Sequence, residues 1–261
     1  MHFPDSYTDN LDRNLYIIYN FYVDFLSEVI YMNIQGILKM TLLDFPGKVA
    51  CTIFTGGCNF RCPFCHNAPL VLPELFDEPL NIDEIFSFLE KRRGLLDGVC
   101  LSGGEPLMQP DTKNFLKKVK DMGYLVKLDT NGFYPDKLKE IVSSGIVDYV
   151  AMYIKNSEEK YAETCGLEKI IFSYVKESID FLISGYVDYE FRTTTVKGLH
   201  DEQSFKGIAQ LITGADNYFI QSFTPSDNML SNDFSAFSKE ELDIFMEIVQ
   251  PYVKNISLRG I

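Results

Sequence analysis

Residues 48–67 read KVACTIFTGGCNFRCPFCHN. The first eight are mostly apolar and β-branched and run into Gly56 and Gly57, the pattern of a buried strand that stops at a loop. That loop carries Cys58, Cys62 and Cys65, a Cys-x3-Cys-x2-Cys array with Phe64 before its last member. Three soft thiolate donors on one short loop suit an iron–sulfur cluster or zinc. A structural zinc site needs a fourth protein ligand to close its tetrahedron, and His66 is the neighbour placed to supply one. A four-iron cluster held by three cysteines keeps one iron open to a substrate. Cys51, Cys100 and Cys165 stand alone, and Cys51 and Cys100 sit in apolar runs that read as core.

Working outward, strand and helix alternate. Strands are expected at 48–55, 98–102, 125–130, 147–154, 187–196 and 216–223, each bounded by Gly, Asp or Asn. Helices are expected near 82–94, 111–121, 135–143, 168–184, 201–213 and 238–252, with a short last strand at 255–259. Asn81, Asp111 and Ser238 read as N-caps, Gly123 and Gly145 as helix stops. Repeated βα units give a parallel sheet covered by helices. Six of them imply an α/β partial (βα)6 barrel, parallel strands inside and helices outside.

In such folds the site gathers at the C-terminal strand ends. The cysteine loop follows the first strand, Gly103-Gly104-Glu105-Pro106 the second, and Asp129-Thr130-Asn131-Gly132 the third. Lys155 ends the fourth, Arg192 lies in the fifth and Gln221 in the sixth. Side chains alternate along a strand, so Lys127, Asp129 and Asn131 share a face, as do Tyr153 and Lys155, and Glu190, Arg192 and Thr194. The outer face of a helix-covered parallel strand is apolar. These polar sets therefore point inward, to an ion-pair network, a ligand cavity, or both.

The chain has 261 residues, 46% of them hydrophobic, enough for a substantial core. A formal charge of −13 and the lack of a basic run argue against nucleic acid as partner. Residues 1–31 differ in composition, with Asp5, Asp9, Asp12, Asp24 and Glu28 against the one base Arg13. Their apolar stretch is interrupted by Asn20, Asp24, Ser27 and Glu28 and is too short and polar to span a membrane. Met32 opens a stretch that reads like an ordinary protein start. We expect 1–31 to form a peripheral or unstructured extension and 32–261 the domain. No secretory pattern is present, and clustered thiols fit a reducing compartment, so a cytoplasmic, membrane-free protein is expected.

Taken in order, Cys58, Cys62, Phe64 and Cys65 followed by Gly-Gly-Glu-Pro at 103–106 resemble the radical S-adenosylmethionine (radical SAM) superfamily. The stretch GILKMTLLDFPGKVACTIFTGGCNFRCPFCHN is similar to the opening of glycyl-radical activating enzymes, most of all the activating proteins of anaerobic ribonucleoside-triphosphate reductase. SGGEPLMQ, LDTNG, VDYVAMYIK, YEFRTTTV, FIQSF and SLRGI fit the same pattern, so the likeness runs over about 32–261. One position departs: where that family usually has Asp before Ile-Lys on the fourth strand, this chain has Tyr153.

The resemblance implies that Cys58, Cys62 and Cys65 hold three irons of a [4Fe–4S] cluster and that S-adenosylmethionine chelates the fourth. A flavodoxin or ferredoxin-like donor supplies an electron, the sulfonium is cleaved, and the resulting radical takes hydrogen from a glycine of a partner enzyme. On that reading Gly103 and Gly104 let backbone approach the methionine end, Glu105 accepts from its amine or orders the loop, and Pro106 fixes the turn. Phe64 packs on adenine, and Gln221 contacts adenosine. Asp129, Thr130 and Asn131 meet ribose or methionine groups, Lys155 and Arg192 meet a carboxylate or the substrate backbone, and His66 with Asn67 caps the cluster loop. The neighbouring readings are a pyruvate formate-lyase-type activating enzyme, a small-molecule radical enzyme such as 7-carboxy-7-deazaguanine synthase, and a non-catalytic iron–sulfur electron carrier.

Overall fold

The apolar runs pair into one sheet in chain order: β1 (Ile34–Thr41), β2 (Ala50–Thr55), β3 (Gly98–Gly103), β4 (Leu125–Thr130), β5 (Tyr149–Tyr153), β6 (Asp188–Thr195), β7 (Asn217–Ser222) and β8 (Asn255–Arg259). This computed structural model describes residues 31–225, 229–231 and 234–260, so the expectation for residues 1–31 falls, Tyr31 apart, outside them. Strands β2 to β8 are all parallel, and the sheet stays open with β1 and β8 at its edges. It is the expected partial barrel, with one addition. Residues 34–41 form a strand the sequence pattern did not announce, antiparallel to β2. Its apolar side chains do not alternate in and out: Ile34 is buried, whereas Leu38 and Met40 are exposed.

The helices are α1 (Ala68–Val71), α2 (Ile82–Glu90), α3 (Thr112–Asp121), α4 (Pro135–Ser143), α5 (Glu158–Thr164), α6 (Phe172–Ile183), α7 (Glu202–Leu211) and α8 (Lys239–Val249). Each longer helix buries one apolar stripe, as α3 does with Phe115, Leu116 and Val119 while its lysines face water. Asn81 caps α2 by accepting from the Asp83 N–H, and Ser238 forms a full capping box with Glu241. Asp111 precedes α3 as expected, but its carboxylate accepts from the Asn114 amide at 3.2 Å rather than from a helix N–H. Helix α5 was not anticipated, and α6 starts later than expected, because Cys165–Ile171 forms a connection between them.

The inward polar residues meet across the barrel. Register puts Asp129, Ala151 and Glu190 at one level. Asp129 pairs with fully buried Lys127 and lies 3.9 Å from Arg192. Glu190, also fully buried, takes the Arg192 Nε, both terminal nitrogens of Arg259 at 2.9 and 3.0 Å, and the Tyr149 hydroxyl at 2.9 Å. Unpaired, each such charge would cost several kcal/mol. Together they form an ionic floor that joins β4, β5, β6 and β8. Replacing Glu190 by Ala removes the carboxylate that Arg192 and Arg259 share. The expected loss of stability is about 3–5 kcal/mol, read as a fall in the urea midpoint.

Candidate functional site

Above this floor lies a cavity of about 250 Å³. Its wall takes Cys58, Cys62, Phe64, Cys65 and His66 from the loop after β2 and Gly103 and Gly104 from the loop after β3. Asp129, Thr130, Asn131, Lys155 and Gln221 come from later strand ends. Three of the expected residues, Glu105, Pro106 and Arg192, do not line it. Phe60, Val71, Ser102 and Ser222 do, although no local pattern distinguishes them from packing residues. Tyr153 and Thr194 also face the cavity, as strand alternation required.

Glu105 explains how the loops are held. Its carboxylate is wholly buried and accepts from the Leu107 N–H at 3.0 Å, the Thr130 hydroxyl at 2.8 Å and the Asn131 N–H at 2.7 Å. It therefore orders the loop, and its lone pairs are directed at protein donors. Burial pushes its carboxyl up to about 7, against the downward pull of those three donors. Asn131 passes the tie onward: its amide donates to Asn59 Oδ1 at 2.9 Å and lies 3.9 Å from the Cys58 sulfur.

The two glycines before Glu105 are required by neighbouring backbone. Gly103 has φ +118°, and a Cβ there would stand 2.3 Å from the Thr55 nitrogen. A Cβ on Gly104 would stand 2.1 Å from the Gly57 carbonyl oxygen. The cysteine loop and the Gly-Gly-Glu loop thus touch main chain to main chain, as the 2.8 Å bonds from Gly104 to Thr55 and from Glu105 to Gly57 show.

The three thiols differ in their surroundings. Burial pushes Cys58 up to about 12 and raises Cys65 as well. Cys62 is drawn down to about 7, first by a hydrogen bond from Cys165 and then by the Lys155 charge, which together outweigh burial. Cys165, which the sequence left alone, therefore sits against the motif. Cys51 and Cys100 are core thiols as expected. Lys155 has its ammonium 4.9 Å from the centre of the Tyr153 ring, and the Tyr153 hydroxyl takes a 3.3 Å bond from Arg192. His200, given no role from sequence, is neutral and structural: its Nδ1 accepts from the Val196 N–H and its Nε2 donates to the Lys155 carbonyl at 2.8 Å. It pins the backbone that presents Lys155.

Two tests bear on what the cavity holds. Among the described residues no group of three His, Cys, Asp or Glu side chains is arranged to share a single metal ion. A cubane cluster asks for something else, since each thiolate binds its own iron, and the three motif thiols all line this one cavity. The buried His66 Nε2 and Gln221 Oε1, both on wall residues, have no hydrogen-bond partner among the described residues. Buried polar atoms without partners are costly, and a polar ligand in the cavity would satisfy them.

Residues 52–212 match the family model for the Radical SAM superfamily. A protein of Methanocaldococcus jannaschii named as a glycyl-radical enzyme activating enzyme is 31% identical over 235 residues, 87% of this chain and 96% of that protein. The pyruvate formate-lyase-activating enzyme of Clostridium pasteurianum is 32% identical over 131 residues, 48% of this chain and 53% of that protein. Among solved structures, Streptococcus suis SuiB bound to S-adenosylmethionine shares the fold with a TM-score of 0.62 at 13% identity, over 78% of this chain and 48% of that one. No helix of the described residues is long and apolar enough to cross a membrane.

Glu105 yields a pH-dependent prediction. An acid whose folded pKa lies above its unfolded value favours folding below the unfolded pKa and loses that contribution as pH rises through the folded one. Stability is therefore expected to fall, on this group's account, between its ordinary 4.5 and about 7. Glu105→Gln stays neutral throughout and turns an NH2 toward protein donors. It should flatten that slope and lower stability by about 1–3 kcal/mol, as read from urea midpoints at pH 5 and pH 8.

Proposed function

Because the chain belongs to the radical SAM superfamily, whose cofactors are a [4Fe–4S] cluster and S-adenosylmethionine, we propose that it is the activating enzyme of a glycyl-radical enzyme. The observation that carries this reading is the M. jannaschii activating-enzyme relative, matched over 96% of its own length. Its partner, on this reading, is an anaerobic ribonucleoside-triphosphate reductase, and its electron donor a flavodoxin or ferredoxin-like protein. When bound, the cofactor pair supplies one-electron reductive cleavage of a sulfonium and with it a hydrogen-abstracting radical.

The residues divide the work as follows. Cys58, Cys62 and Cys65 hold the cluster through three irons. His66 Nε2 and Gln221 Oε1, buried and unpartnered, meet the polar edge of the nucleoside. Phe64, buried beside them, excludes water from that end. Lys155 supplies positive charge close to Cys62 and Cys65, countering the negative charge of a thiolate-ligated cluster. Asp129 and Thr130 present oxygens at the rim of β4. Lys127 and Arg192 hold the Asp129 carboxyl below the usual carboxylate range even though burial pushes it up, so it stays an anion facing the cavity. Glu105 and Arg192 act from behind the wall, by fixing the loops and the floor.

Anaerobic reconstitution with iron and sulfide, then dithionite and S-adenosylmethionine, tests the reading through release of 5′-deoxyadenosine. Loss of a residue that merely supports a metal site costs about 10–100-fold. Cys58→Ala, Cys62→Ala and Cys65→Ala are each expected to lose at least that much product, and iron with it. Full cleavage by a reconstituted Cys62→Ala protein would reject the assignment. Incubation with an anaerobic reductase, and separately with a pyruvate formate-lyase, identifies the partner by which one acquires a glycyl-radical EPR signal.

A further inference from the structure

Tyr153 ends β5 and stands opposite Arg192 in the ladder to β6. The backbone here is fixed residue by residue. The Tyr161 hydroxyl donates to the Tyr153 carbonyl at 3.5 Å, the Ile154 N–H to the Arg192 carbonyl at 2.8 Å, and His200 Nε2 to the Lys155 carbonyl at 2.8 Å. Tyr153 and Lys155 are thereby presented together on the cavity wall. Two cations flank the one ring: the Lys155 ammonium lies 4.9 Å from its centre and the Arg192 guanidinium carbon 5.8 Å.

This corner of the cavity holds more donors than acceptors. The Tyr153 hydroxyl accepts from Arg192 Nη1 at 3.3 Å. A phenol that accepts still has its own proton to give, and no acceptor for that proton stands among the described residues. The Lys155 ammonium has the ring face but no hydrogen-bond acceptor and no carboxylate partner among the described residues. Behind them Arg192 Nη2 is buried and unpartnered. The nearby carboxylates, Glu190 and Asp129, are turned to Arg192 and Lys127 instead. A ring face offsets only part of what an ammonium loses on leaving water. The missing partner is an anion whose oxygens can take an O–H and an ammonium at once. S-adenosylmethionine carries one anionic group, the carboxylate of its methionine part.

We propose, on the radical SAM reading of the cavity, that Tyr153 is a specificity-determining residue: its hydroxyl donates to the methionine carboxylate of S-adenosylmethionine, while its ring keeps Lys155 un-neutralised beside the same group. Tyrosine suits both tasks because it stays neutral near pH 7. It supplies a donor and a cation-binding face without adding a negative charge that would compete with the ligand's own. Arg192, from behind, accepts no proton and fixes the hydroxyl so that its hydrogen turns to the cavity.

The test is equilibrium binding to the anaerobically reconstituted full chain, without reductant so that nothing is cleaved, using S-adenosylmethionine and its decarboxylated form as the two ligands. Tyr153→Phe keeps the ring and loses the donor. It is expected to bind S-adenosylmethionine about tenfold more weakly, with iron content and affinity for the decarboxylated ligand unchanged. Tyr153→Leu loses ring and donor and is expected to weaken S-adenosylmethionine further, again sparing the other ligand. If the Leu variant does not hold iron, the nearly isosteric Phe variant decides alone. Unchanged affinity of the Phe variant for S-adenosylmethionine overturns the proposal. So does an equal loss for both ligands, or loss of iron from the Phe variant, either of which makes the hydroxyl structural only. An unmodified chain that binds neither ligand overturns the cofactor assignment and the proposal with it, whereas a failure confined to the variants overturns the proposal alone.

Discussion

A carboxylate removed from water ties the site together. Glu105 sits beyond the end of β3, yet two of its three donors belong to the end of β4. Through Asn131 the same bonds reach Asn59 on the cysteine loop. Hydrogen bonds to a charged acceptor are roughly twice as strong as neutral ones, and a buried carboxylate lacking any of them would carry a large desolvation cost. The loops after β2, β3 and β4 therefore cannot relax independently. Their backbones also touch where Gly103 and Gly104 leave no room for a side chain. A thiol array on a free loop would sample many arrangements; here the loop is held at Gly57, Asn59 and Arg61.

The ionic floor complements this arrangement from below. Charges inside a protein favour pairing over solvation only when geometry is good, and Glu190 meets that condition with two arginines and a tyrosine. Arg259 also lies over the Phe219 ring, 3.4 Å from its centre. The last strand is thereby fastened to the barrel by a charge as well as by its ladder. Arg192 links floor and cavity, since it reaches both Glu190 and the Tyr153 hydroxyl. At Tyr153, where the resemblance called for Asp, the ring takes cations on its face and at its hydroxyl, so the two basic side chains near it keep a partner without a carboxylate.

Much of this was legible in the chain itself. Strand and helix alternation is a local property, set by side-chain period and by punctuation with Gly, Asp and Asn. It located β2 to β8, the caps at Asn81 and Ser238, and the inward faces of β4, β5 and β6. The motif spacing alone put three thiols on one loop at the C-terminal strand ends. Strand β1 and helix α5 escaped because neither shows a clear period: β1 exposes Leu38 and Met40, and α5 has seven residues, of which Tyr161 and Thr164 are buried.

What the sequence by itself determined is the part governed by neighbours along the chain: the βα order, the parallel sheet, and which residue types stand at each strand end. What only the tertiary structure decided is which of those residues meet. Glu105 reads as an acid that meets a ligand amine or orders its loop, and the fold turns its carboxylate to Thr130 and Asn131 at the end of β4. Arg192 reads as a cavity residue, and Glu190 draws it into the floor. Cys165 reads as solitary, and the connection after α5 docks it on Arg61 of the cysteine loop. In each case the deciding contact joins segments far apart in the chain, and strand spacing or residue type carries no record of such a contact until the sheet closes the distance.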